Sequence, residues 1–221
     1  MGILVALRHG QSQWNLENRF TGWTDMPLTE RGREDAAKCA AVLKKFTFDV
    51  AYTSRLSRAS ETLSVILKTL GQNPPVEVDS ALNERHYGDL QGLNKAETVA
   101  KHGEKQVQLW RRSYTTRPPN GESIEDCERR TWPFFVQYVL PHLVAGKTVI
   151  IAAHGNSLRP IIKNLEGLTP DATAVLEIGL CTPYVYRFEG TKMASHEVLE
   201  VPGIVTKGAS LKEAQVSEGR V

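Results

Sequence analysis

Cysteine is scarce in this chain of 221 residues: Cys39, Cys127 and Cys181 are the whole set, odd in number, far apart and never in a C-x-x-C pair. That pattern excludes a disulfide framework and a cysteine zinc site, and reads as three thiols in a reducing cytosol. An excess of one charge is also lacking. The net charge is only +2, which argues against a general nucleic-acid binder with its strong basic surplus. No apolar run reaches the length of a membrane span, and Arg8 interrupts the first one almost at once, so neither a spanning helix nor a secretory leader is expected. Met1-Gly2 opens like a myristoylation signal, but Ala6 stands where that signal needs Ser or Thr. Gly146-Lys147-Thr148 lacks the first P-loop glycine, its place being taken by Pro141, and neither G-x-G-x-x-G nor G-x-S-x-G occurs. The expectation is a soluble cytoplasmic protein that binds neither nucleic acid nor membrane.

What is present is a globular composition, 41% hydrophobic and 24% charged, on a chain long enough for one large domain. Strand and helix signals alternate, the α/β pattern. Apolar runs at 3–7 and 148–153 are too short for helices and fit buried strands of a parallel sheet. Further strands are expected at 48–52, 76–78, 175–178 and 184–188. Helices are expected near 30–45 behind a Thr29 cap, at 55–70 up to the Pro74-Pro75 break, and at 95–102, 104–112 and 157–165. Another, opened by Ser123 with Asp126 as a capping box, should run from there to about Val144 and kink or restart at Pro133. From Leu82 to Gly121 no apolar period persists, and the stretch is crowded with Tyr, Trp and Arg; long irregular segments of this kind are usually functional. Residues 1–202 form one domain in this reading, and the polar stretch 203–221 a mobile C-terminal tail.

Two strands end in chemistry. Arg8-His9-Gly10 follows the first and His154-Gly155-Asn156 follows the fourth, and residues just past the carboxyl ends of strands line the crevice of an open α/β sheet. Two histidines can therefore face one pocket across 145 positions of sequence. An imidazole nitrogen can attack phosphorus, neighbouring arginines favour its neutral form, and Gly10 lets the backbone pass close to a ligand. Arg8 and Arg58 can grip phosphoryl oxygens in bidentate fashion, and Arg55, Arg85, Arg111 and Arg112 are further arginines that the fold could gather. Glu84, in Asn83-Glu84-Arg85-His86-Tyr87-Gly88, leaves two readings open: a surface carboxylate paired with Arg85, or a general acid/base beside the phosphates. Lys95 and Arg111-Arg112 would give a second anionic group, such as a carboxylate, its own cations. His86, His102, His142 and His196 lack such a setting.

Leu7-Arg8-His9-Gly10-Gln11-Ser12-Gln13-Trp14-Asn15, Phe20-Thr21-Gly22-Trp23, residues 83–88, Leu90-Gln91-Gly92-Leu93-Asn94-Lys95, Trp110-Arg111-Arg112 and residues 152–158 together resemble the cofactor-dependent phosphoglycerate mutases of the histidine phosphatase superfamily, from about residue 3 to residue 190. The resemblance implies a three-layer α/β/α fold around a mostly parallel sheet. It implies a ping-pong phosphoryl transfer in which His9 carries the phosphoryl group, Glu84 exchanges the proton of the substrate hydroxyl, and His154, Arg8 and Arg58 stabilise the transferring group. Ser12, Asn15, Thr21, Gly22, Tyr87, Lys95, Arg111, Arg112, Gly155 and Asn156 would join Arg8, Arg58 and Glu84 in holding phosphate and carboxylate of small three-carbon acids. 2,3-Bisphosphoglycerate would prime the cycle, with no metal. Residues 113–121 form a shorter segment than in the long members, which leaves monomer, dimer and tetramer all open, and in relatives the tail can cover the active site. The other readings are a phosphatase of the same superfamily, with water as acceptor, and a non-catalytic binding module.

Overall fold

The structure is a computed structural model that describes residues 1–204. Six strands make one sheet in the order β3-β2-β4-β1-β5-β6, with β1 at Gly2–Arg8, β2 at Val50–Thr53, β3 at Val76–Val78, β4 at Thr148–Ala153, β5 at Pro183–Glu189 and β6 at Lys192–Val198. β3, β2, β4 and β1 run parallel, and β5 and β6 are antiparallel additions. The helices are α1 (Gln13–Leu16), α2 (Glu30–Leu43), α3 (Ser57–Leu70), α4 (Lys95–His102), α5 (Glu104–Arg112), α6 (Ile124–Phe134), α7 (Leu140–Val144), α8 (Gly155–Glu166) and α9 (Pro170–Val175).

Both faces of the sheet are covered, which is why its central strands read as continuous apolar runs. Side chains alternate across a strand: Val5 and Leu7 of β1 join Ile150 and Ala152 against α2 and α3, whereas Leu4 and Ala6 join Val149 and Ile151 against α6, α7 and α8. The result is the expected α/β/α sandwich. A small separate cluster of Phe20, Leu90 and Val107, flanked by Tyr87, Val99 and Trp110, roofs the carboxyl edge and carries the irregular 82–121 segment.

Register puts the chemistry there. Arg8 pairs with Ala153 across β1 and β4, so the next residues on the two strands, His9 and His154, leave the sheet side by side. The His9 amide still donates to the Ala153 carbonyl at 3.0 Å. Gly10 then lies against α2: a Cβ there would collide with the Gly32 carbonyl, and a Cβ at Gly32 would collide with the Gln11 carbonyl. Contact of backbone with backbone therefore requires a glycine at position 10.

Several local expectations are corrected. α3 ends at Leu70 as expected, but it is stopped by Gly71, in the left-handed conformation at φ 66, before Pro74 and Pro75 are reached. Pro133 cannot donate to the ladder. The helix from Ser123 continues to Phe134, widens into a π-helical turn over Phe135–Val139 and resumes as α7. Residues 175–178 are not a strand. Val175 closes α9, and the carbonyls of Leu176 and Ile178 accept hydrogen bonds from Arg159 and Arg8 rather than from a neighbouring strand. β6 and α9 were not anticipated, and α8 begins at Gly155 rather than at 157. Among the described residues no helix is long and apolar enough to cross a membrane. At the start of the expected tail, Ile204 packs on the core face that contains Val5 and Leu7; the rest of that segment lies outside the described residues.

Replacing a helical glycine by alanine ordinarily stabilises. Here the sign should reverse, because the new methyl meets a main-chain oxygen: Gly32→Ala is expected to cost about 1–3 kcal/mol, the usual range for overpacking. Urea unfolding reads this, and an unchanged or raised midpoint would contradict the packing described.

Candidate active site

His9 is buried at 2% exposure, and its ring is oriented by one short bond. Nδ1 lies 2.6 Å from the Gly10 carbonyl. A carbonyl only accepts, so Nδ1 carries the hydrogen and Nε2 keeps its lone pair. The pKa of the ring lies well below 6.5, driven first by burial and then by the charges of Arg58 and Arg8. The sequence argument named the arginines; burial, the larger cause, follows from the close packing of the strand-end loop. The Gly10 amide donates to Thr62 Oγ1 at 3.0 Å, a second anchor for the loop, contributed by α3.

The His154 ring sits edge-on to His9 at 5.0 Å between centroids. Its Nε2 is 2.7 Å from Ser54 Oγ, at the end of β2, and burial followed by Arg58 holds it neutral as well. Arg58 is buried and tied by Nη1 and Nη2 to the carbonyls of Thr24 and Gly22. Burial, its largest influence, pushes it down to about 10, so it remains charged at neutral pH. Among the described residues three buried nitrogens of this group have no partner: Arg8 Nε, Arg58 Nε and His154 Nδ1. Buried polar atoms are nearly always satisfied. The two guanidinium N–H donors in this set, Arg8 Nε and Arg58 Nε, beside a lone-pair nitrogen fit the oxygens of a phosphoryl group.

Glu84 is not a surface carboxylate paired with Arg85. It is 7% exposed, and its Oε1 accepts from the backbone amides of Arg85 at 2.8 Å and Asn156 at 3.0 Å. Among the described residues Oε2 has no such partner, which leaves it open to exchange a proton. Glu84 lines one cleft with Arg8, His9, Asn15, Thr21, Gly22, Arg58, Tyr87 and Lys95, and with Arg19, Phe20.

The far end of the cleft is a polar network. Asn156 donates through Nδ2 to the Tyr87 hydroxyl, and its Oδ1 accepts from buried Arg159, which fixes which way the amide faces. Burial pushes the Tyr87 hydroxyl up, but Arg85, over the ring at 4.6 Å, and hydrogen bonds from Arg85 and Asn156 outweigh it and leave the group lowered. Lys95 is lowered by burial and then by Arg111, Arg8 and Arg112, against an opposing effect of Tyr87. Arg111 and Arg112 end α5 outside the cleft wall, and Arg112 pairs with Glu177. Ser12 serves indirectly, its amide and hydroxyl donating to Asn15 Oδ1; Gly155 packs beside Arg8 at the start of α8.

Two of the expected arginines do not converge. Arg55 is exposed, and Arg85 turns its guanidinium to the carbonyls of Trp110 and Arg111, where it braces the end of α5. Arg19, Ser54, Thr62, Arg130 and Arg159 were not singled out from sequence. Arg19 could have been, as a cation directly before the Phe20-Thr21-Gly22-Trp23 stretch; the others act through contacts that no local pattern announces. Among the described residues no group of three or more His, Cys, Asp or Glu side chains could hold a metal ion.

A family model described as Histidine phosphatase superfamily (branch 1) matches residues 4–200. A curated protein of Gloeobacter violaceus named 2,3-bisphosphoglycerate-dependent phosphoglycerate mutase 2 is 52% identical over 190 residues, covering 86% of this chain and 87% of its own. One from Brucella anthropi, named 2,3-bisphosphoglycerate-dependent phosphoglycerate mutase, is 51% identical over 201 residues, covering 89% and 98%. Among solved structures, a mycobacterial glucosyl-3-phosphoglycerate phosphatase in complex with VO3 superposes with a TM-score of 0.78 at 29% identity, over 90% of this chain and 98% of its own.

A freely solvated histidine titrates near 6.5; His9 should stay neutral as the pH falls through that value. NMR of the ring-labelled protein tests this, and a His9 midpoint at or above 6.5 would contradict the site. The same burial has a stability consequence. Below about 6.5 the unfolded chain binds protons on His9 and His154 that the folded chain refuses, so stability falls as the pH drops from there towards the folded pKa values.

Proposed function

The chain belongs to the histidine phosphatase superfamily, branch 1, and we propose that it interconverts 3-phosphoglycerate and 2-phosphoglycerate through a phosphorylated His9, in dependence on 2,3-bisphosphoglycerate. The observation that carries this reading is the identity of 52% and 51% to proteins bearing that name across nearly the whole chain. The solved phosphatase shares the fold at 29%.

The residues divide the work between two half-reactions. In the first, the 2-hydroxyl of 3-phosphoglycerate attacks phosphorus on phospho-His9. The P–N bond breaks, its electron pair returns to Nε2, and the hydroxyl proton passes to Glu84 Oε2. In the second, with the bisphosphorylated acid turned about, Nε2 attacks the 3-phosphoryl group, the P–O bond breaks, and Glu84 returns its proton to the departing oxygen. The product is 2-phosphoglycerate and the enzyme is again phosphorylated. Arg8, Arg58 and His154 donate to the phosphoryl oxygens throughout, and phosphoryl transfer depends mainly on such positioning and charge. The unpaired donors around His9 fit a phosphate of 2,3-bisphosphoglycerate, which supplies the first phosphoryl group.

Asn15, Thr21, Gly22, Tyr87, Lys95 and Asn156 receive the other end of the substrate, with Arg111 and Arg112 at the cleft mouth and Arg19 beside Lys95. This surplus of cations supports a mutase over a phosphatase of the same superfamily, since water as acceptor needs no grip on a second anionic group. A cytoplasmic setting accords with three free buried thiols, Cys39, Cys127 and Cys181.

The direct assay is 3-phosphoglycerate with a trace of 2,3-bisphosphoglycerate and excess chelator, followed for 2-phosphoglycerate. Product is expected despite the chelator; inorganic phosphate released with no 2-phosphoglycerate would instead support the phosphatase. His9→Ala should abolish turnover. Glu84→Gln should slow it by about 10²–10⁴-fold, as for loss of a general acid/base, and near-normal turnover in that variant would remove Glu84 from the mechanism.

A further inference from the structure

Residues 83–87 belong to no helix or strand, so the backbone around Glu84 has no ladder to hold it, and buried carbonyls must find donors elsewhere. They find them on one side chain. Arg130, on α6, donates through Nη1 to the carbonyls of Ala81 at 2.7 Å and Asn83 at 2.9 Å, and through Nη2 to that of Glu84 at 3.1 Å. The other edge of the same guanidinium forms a fork with Glu122, Nε to Oε1 at 3.1 Å and Nη2 to Oε2 at 3.0 Å. Glu122 Oε2 in turn accepts the amide of His86 at 2.8 Å. The backbone is therefore bolted to α6 on both sides of Glu84. Trp23 Nε1 adds a second donor to the Glu84 carbonyl, with the Arg130 guanidinium 5.9 Å from the Trp23 ring centre.

We propose that Arg130 is the positioning residue for proton transfer: by holding the chain on both sides of Glu84 it sets where Oε2 stands relative to the phosphoryl group on His9. This rests on Glu84 being the proton-transfer group. Arg130 is not among the residues lining the cleft, and it acts only through the 81–86 segment. The hydrogen bonds are charge-assisted, the stronger kind, and the side chain is only 20% exposed. Lysine cannot replace it. One ammonium keeps the charge but lacks the planar fork that serves Glu122 and the carbonyls together.

The test compares Arg130→Lys, Glu122→Gln, Glu84→Gln and the unaltered enzyme in two rates of His9 phosphorylation by rapid quench. One donor is 2,3-bisphosphoglycerate, whose alkoxide leaving group needs a proton; the other is p-nitrophenyl phosphate, whose phenolate leaves without one. The readout is the ratio of the first rate to the second, which a general loss of structure lowers in neither direction. In Arg130→Lys the ratio should fall about 10-fold, within what displacement of a reacting group by an ångström costs. It should fall less in Glu122→Gln and furthest in Glu84→Gln. An unchanged ratio in Arg130→Lys beside a fallen one in Glu84→Gln overturns the inference alone. An unchanged ratio in Glu84→Gln removes the premise that Glu84 transfers the proton. If Arg130→Lys does not fold, Glu122→Gln decides by the same ratio.

Discussion

A neutral imidazole shut in among guanidinium groups is the constraint on which the rest of this structure depends. Such a ring must be buried, must face cations and must present one nitrogen free of hydrogen. Each condition is met by backbone. The β1–β4 register sets His9 beside His154, the Gly10 carbonyl takes the Nδ1 hydrogen, and contact between the loop and α2 at Gly10 and Gly32 closes the site from behind. The cost of burying Arg58 is offset by its bonds to the carbonyls of Gly22 and Thr24, which leave its Nε without an acceptor among the described residues. In the proposed reading a phosphoryl group would complete this arrangement by satisfying those donors.

Beside this imidazole the carboxylate of Glu84 is held asymmetrically, one oxygen fixed by two backbone amides and the other without such a partner among the described residues. That division suits a group that must both give and take a proton within one cycle, because the anchored oxygen preserves geometry while the free one changes protonation. The segment that carries Glu84 has no secondary structure of its own and depends on side chains of α6 and of the 20–25 loop. The cations beyond it extend the positive field past a single phosphate.

Much of the architecture was legible in the chain. The apolar runs that end at Arg8 and Ala153 announced parallel strands and therefore a shared pocket, and α4 and α5 fell at 95–102 and 104–112 as expected. The strand expected at 175–178 failed because Leu176 and Ile178 are buried in a segment whose carbonyls are claimed by Arg159 and Arg8, an arrangement that hydropathy cannot distinguish from a ladder. β6 escaped notice because an exposed edge strand need not alternate. The site shows the same division. His9, His154 and Arg58 could be found from strand ends and arginine chemistry, and the resemblance assigned Glu84 its role. Arg130 and Arg159, which reach the cleft only through other residues, carry no local signature, and Arg85, one of the arginines expected to gather, instead braces the end of α5.

The central claim is that Nε2 of His9 holds the phosphoryl group covalently. Incubation with 2,3-bisphosphoglycerate labelled in its phosphoryl groups, followed by peptide mapping under alkaline conditions, addresses it directly. The account predicts an acid-labile, base-stable label on the peptide containing His9; a label on any other residue, or none at all, would contradict it.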